Sequence, residues 1–62
     1  MGSVIAIRRF APGGYFFVLL SPAGDLLATS EVFDTWADCY AFVEPVRRTV
    51  PGLRLVDESA VA

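Results

Sequence analysis

The sequence predicts an α+β fold: an antiparallel three-stranded β-meander followed by one α-helix packed on one sheet face. Three observations carry this. Three short apolar stretches, 4–10, 15–20 and 25–30, are separated by Pro- and Gly-rich turns. A later segment, 35–49, places its apolar residues at helical spacing. The balance of 55% hydrophobic to 19% charged residues excludes a disordered chain. Sixty-two residues make one domain, 1–62.

The first strand, Val4 to Phe10, alternates Ile5 and Ile7 with Val4, Ala6 and Arg8. Ala11-Pro12-Gly13-Gly14 is a turn, since Pro fixes φ and Gly permits positive φ. Tyr15 to Leu20 is strand-forming by residue type. Ser21-Pro22-Ala23-Gly24 turns the chain again, and Leu26 to Ser30 supplies the third strand. Short turns between consecutive strands favour antiparallel pairing.

Asp34 and Thr35 are both candidate caps of the helix, because either side chain can accept from an orphan N–H. Trp36, Cys39, Tyr40, Val43, Val46 and Val50 form one apolar stripe. Asp34 and Asp38 near the start and Arg47 and Arg48 near the end suit the helix dipole. Pro45 removes an N–H and crowds the preceding turn, which predicts a kink or break near Glu44. Pro51-Gly52 ends the helix. Leu53 to Asp57 has the residues for a short last strand over 53–57, and Glu58 to Ala62 is expected to fray.

The second strand is apolar on both faces. Tyr15, Phe17 and Leu19 point one way; Phe16, Val18 and Leu20 point the other. A strand buried on one side alternates apolar with polar, and this one does not. One helix covers one face. The other calls for a second protomer, the chain's own C-terminus, or exposure as an association patch. Phe16, Val18 and Leu20, with Phe42 off the centre of the helical stripe, are the candidate interface residues.

Size points the same way. Folding a chain of this mass buries roughly 5,800 Å². With about 60% of that apolar, burial contributes roughly 85–90 kcal/mol. Ordering costs roughly 93 kcal/mol at about 1.5 kcal/mol per residue. The sum is near zero. One cysteine excludes an intrachain disulfide, and the absence of histidine argues against a structural zinc. Oligomerisation is the support left, and a homodimer is the expected state.

From Gly13 onward the residues GGYFFVLLSPAGDLLATSEVFDTWADCYAFVEPVRRTV resemble the YegP-like family, a domain of unknown function found singly or as tandem pairs. Gly13, Tyr15, Phe17, Leu19, Gly24, Leu27, Ser30 and Phe33 match its pattern without a gap, and Ala37, Val43 and Val46 continue the match. The resemblance covers about two thirds of the chain. Within that alignment Phe33 stands where the family has Tyr, and Phe16, Ala23, Phe42, Pro45 and Thr49 depart from the pattern, several by replacing a polar or small residue with an apolar one. It implies a β-meander packed on a helix and, for a single-copy member, a dimer mimicking the tandem form. It implies no activity.

The side chains offer little chemistry. There is no Lys, His, Asn or Gln, and all five basic residues are Arg. Cys39 has no histidine to activate it and lies on the buried stripe. Glu31, Asp34 and Asp38 lack Ca-loop spacing and read as a solvated, dipole-favoured face. Gly14-Tyr15-Phe16-Phe17-Val18 echoes an RNA-recognition strand, but a net charge of −2 opposes phosphate binding. Gly13-Gly14 lacks the Lys and Ser/Thr of a phosphate loop, and Trp36 and Tyr40 read as core. No enzyme, cofactor or metal is expected.

The longest apolar run, Tyr15 to Leu20, is six residues, against about 20 for a membrane helix. No signal-peptide pattern is visible, and Ala6 stands where a myristoylation start wants Ser or Thr. A cytoplasmic, non-enzymatic homodimeric module is therefore the leading expectation, with an unidentified protein partner as an extension through sheet face or edge. The alternative is small-ligand or nucleic-acid binding in a groove between protomers, using Tyr15, Phe16 and the arginines.

Overall fold

The computed structural model describes residues 2–11 and 13–59. Pro12, read as part of the first turn, and Ala60 to Ala62, read as frayed, lie outside the described residues. The elements run β1 (Val4–Arg9), β2 (Tyr15–Leu20), β3 (Leu26–Thr29), α1 (Trp36–Thr49) and β4 (Arg54–Asp57).

The fold is α+β, as the sequence predicts, but the sheet is not a three-stranded meander. It has four strands in the order β3-β2-β1-β4. β1, β2 and β3 pair antiparallel, whereas β4 joins β1 in parallel, with Ile5 beside Leu55 and Ala6 beside Val56. The reason lies in the edges. A meander leaves the outer N–H and C=O groups of β1 unpaired. The helix carries the chain back across the sheet, which is the connection a parallel strand needs. β4 then closes that edge and makes β1 interior, and Ile5 and Ile7 become fully buried.

The helix lies on the face formed by Ile5, Ile7, Tyr15, Phe17, Leu19 and Leu55, and it contributes Cys39, Val43, Tyr40 and Val46 to the same core. Thr35 is the cap: its hydroxyl accepts from the Asp38 N–H at 3.1 Å. Asp34 does not fill that position. Of the predicted stripe, Cys39 and Val43 are buried, while Trp36 and Val50 at the two ends are exposed.

Of the kink or break expected near Glu44, the break does not occur: α1 runs through Pro45 to Thr49. A proline inside a helix costs about 3 kcal/mol. Val43 before it is fully buried and Val46 after it packs on the core, so both halves are held on one sheet. Thr49 Oγ1 also donates to the Pro45 carbonyl at 2.7 Å.

The turn into β2 depends on Gly14, whose φ is +129°. A Cβ there would lie 2.9 Å from the Phe33 carbonyl oxygen. That closeness lets Tyr15 and Phe33 exchange backbone hydrogen bonds of 2.8 and 2.7 Å, which fixes the loop leading into the helix. At the other end, Glu58 and Ser59 are held rather than frayed. Glu58 N–H donates to the Ile7 carbonyl at 2.8 Å, and Ser59 donates from N–H and hydroxyl to Asp57 at 2.9 and 2.6 Å.

Candidate functional site

Strand alternation builds a second apolar surface on the face away from the helix. β1 contributes Val4, Ala6 and Arg8, and β2 contributes Phe16, Val18 and Leu20, paired Val4–Leu20, Ala6–Val18 and Arg8–Phe16. β4 adds Val56 beside Ala6, and β3 adds Leu26 beside Leu20. Ala6 and Val18 are buried at the centre, ringed by the half-buried Val4, Phe16, Leu20 and Val56. Phe10 packs edge-on against Phe16 with ring centroids 6.5 Å apart. The rim is charged: Arg8 Nε meets Glu58 Oε1 at 2.8 Å beside Phe16, and Arg54 sits beside Val4.

Three of the four predicted interface residues, Phe16, Val18 and Leu20, thus share one face. Phe42 does not join them. It stands on the helix side against Phe33, centroids 5.0 Å apart, and Phe33 stacks on Phe17 at 6.2 Å. Phe42 is 57% exposed at the edge of this aromatic row. Val4, Phe10 and Leu26 enlarge the helix-free face. The period-two alternation of 4, 6, 8 and 10 already marks Val4 and Phe10 for one side, whereas Val56 becomes a neighbour only through the parallel pairing of β4.

Tyr15 packs toward the helix and Phe16 away from it, so the two rings do not form one stacking platform. Arg9 lies 5.9 Å from the Tyr15 ring centroid, a cation–π distance. Trp36 and Tyr40 stack on each other with centroids 5.0 Å apart, which leaves no slot between them for a ligand. Trp36 Nε1 donates to Asp57 at 3.1 Å, and Tyr40 donates to Glu44 at 2.6 Å. Among the described residues, Glu31, Asp34 and Asp38 form no group able to hold a metal ion, and no helix is long and apolar enough to cross a membrane.

Cys39 is fully buried. Burial, reinforced by the nearby Asp57 carboxylate, pushes its thiol above the ordinary range. Iodoacetamide is therefore expected to label Cys39 only through opening of the fold. The check is labelling rate against urea. A rate equal to that of the unfolded chain, in the absence of urea, would contradict the buried placement.

The Asp57 carboxyl is held below its usual value, chiefly by the two Ser59 hydrogen bonds and further by the Trp36 indole. A depressed folded pKa adds stability above the unfolded value of about 3.9, and that stability is lost as pH falls through the folded value. Asp57→Asn is expected to lower the urea midpoint at neutral pH and to flatten its decline below about pH 4. Parallel acid limbs in the two proteins would contradict this.

No family model matches the chain, and neither the curated proteins nor the solved structures provide a match.

Proposed function

We propose that the chain is a small non-enzymatic module that self-associates as a homodimer through the helix-free sheet face and acts as a protein-interaction unit in the cytoplasm. The observation that carries this is the ring of half-buried apolar residues, Val4, Phe16, Leu20 and Val56, around the buried Ala6–Val18 pair. Obligate interfaces resemble a core cut in half, with polar groups at the rim. The Arg8–Glu58 pair and Arg54 sit at such a rim. The resemblance to the YegP-like family, with its tandem members, implies a dimer as well, without saying which face forms it. A buried thiol with its proton held, in a chain without histidine, supports a role other than catalysis.

Light scattering over a dilution series tests the assembly. A mass of twice 6.7 kDa that halves on dilution is expected. A constant 6.7 kDa at high micromolar concentration would reject it.

A further inference from the structure

The outer edge of β3 differs from the sheet face and from the opposite edge. β3 is exposed along its length, with Leu26 and Leu27 61% and 56% exposed, and among the described residues it pairs only with β2. Ser30 N–H donates to the Phe17 carbonyl at 2.9 Å. By the alternation of an antiparallel ladder, Thr29 then turns its N–H and C=O outward. β4 carries Arg54 and Asp57 at its ends, and charges of this kind discourage stray pairing. β3 reads Leu-Leu-Ala-Thr, with no charge and no proline. The pairing slips between Leu19 and Leu20, which leaves Leu27 as an extra residue. That bulge restricts the regular edge to a few residues, so backbone pairing alone is weak.

Two further features adjoin this edge. An apolar groove of about 200 Å³ lies between β3 and the helix, lined by Ile5, Phe17, Leu19, Ala28, Ser30 and Val46 among others. A cavity of about 150 Å³ with such a lining takes a benzene ring, so the groove has room for one Phe- or Leu-sized side chain. The surroundings are also acidic. Residues 21–35 hold Asp25, Glu31 and Asp34 and no basic residue, and Asp38 follows in the first helical turn. Among the described residues these four acids enter no salt bridge, whereas Glu44 and Glu58 do. The arginines lie on β1, the end of α1 and β4.

We propose that the β3 edge captures an extended, basic peptide by strand addition, one apolar side chain entering the groove and Lys or Arg on either side meeting Asp25 and Glu31. Such recognition takes its affinity from main-chain bonds and its specificity from alternate side chains. Charge selects the occupant. Pairing β3 with the β3 of a second copy would bring the acidic ends of both strands together, with no cation between them. The edge meets the proposed dimer face at Leu26, but its outward backbone groups and the groove lie at the rim and on the helix side, so the two proposals are read by different residues and succeed or fail independently.

The test titrates the isotope-labelled full chain at low salt with the peptide Lys-Lys-Val-Thr-Phe-Thr-Val-Lys-Lys, and with a control in which every Lys is Glu. Saturable shifts at the amides of Ala28, Thr29, Ser30 and Val46 are expected, with the acidic control about tenfold weaker or more. Asp25→Lys with Glu31→Lys should reverse that preference. Thr29→Pro removes an outward N–H without touching the β2 ladder and should abolish binding. Equal affinity for both peptides, shifts centred on Phe16, Val18 and Leu20, or no saturation by about 1 mM, the range of weak contacts, would overturn the proposal. So would a mass that grows with concentration and is cut back by Thr29→Pro, since that assigns the edge to a second copy.

Discussion

Ile7→Ala is expected to lower the unfolding free energy by about 3–4 kcal/mol. Ile7 has no exposed surface, pairs with Phe17 on one side and Asp57 on the other, and belongs to the core beneath the helix. A buried isoleucine cut to alanine loses its transfer energy and leaves a cavity that the surroundings fill only in part. The setting magnifies the effect. A domain of this length has roughly 3–9 kcal/mol of stability in all, so one truncation removes a large share of it. Urea titration of the variant at fixed protein concentration checks this. A loss below about 1 kcal/mol would mean that the strand can shift to close the gap. Ile7 lies away from the groove lining, so relief from open space does not enter.

Phe16→Glu combined with Leu20→Glu is expected to convert the proposed dimer to monomer while leaving the fold in place. Both side chains are half-buried and lie on the face that carries no helix. Large apolar side chains that anchor an interface cost about 2 kcal/mol or more when removed, and a carboxylate on each side of a two-fold contact adds repulsion. A rise in the dimer dissociation constant of at least about a thousandfold follows, since two such losses already give that factor and a two-fold dimer carries each substitution twice. Light scattering reads the mass, and amide spectra read the fold. The wild-type melting temperature should rise with protein concentration, and that dependence should vanish in the variant. An unchanged mass would place the interface elsewhere, with Phe42 on the helix side the next residue to replace.

Much of this architecture is legible along the chain because it obeys local periods. The extent of β2, its two apolar faces, and the Cys39–Val43–Val46 stripe follow from alternation by two and from the helical repeat, and each needs only neighbouring residues. The turn at Gly14 is legible for the same reason. The helix-free apolar face is legible in part: 16, 18 and 20 are bound to point together, as are 4, 6, 8 and 10. Phe42 shows the limit. Its angle on the helix says that it leaves the stripe, but its neighbour, Phe33, is set by where the loop crosses β2.

What the sequence by itself determined is the kind and order of the elements, an α+β chain of three early strands, one helix and a short apolar tail segment, together with the two-sided character of β2. Tertiary structure alone decided three things. Thr35 rather than Asp34 caps the helix, because the cap depends on which residue the Tyr15–Phe33 bridge brings to the helix start in extended geometry. The helix continues through Pro45, because burial of Val43 and the packing of Val46 against the core on either side outweigh a lost backbone bond. β4 lies parallel beside β1, because the free edge of β1 sits where the helix returns the chain. Each is a choice between locally acceptable alternatives, settled by contacts far apart in sequence, to which a local period is blind.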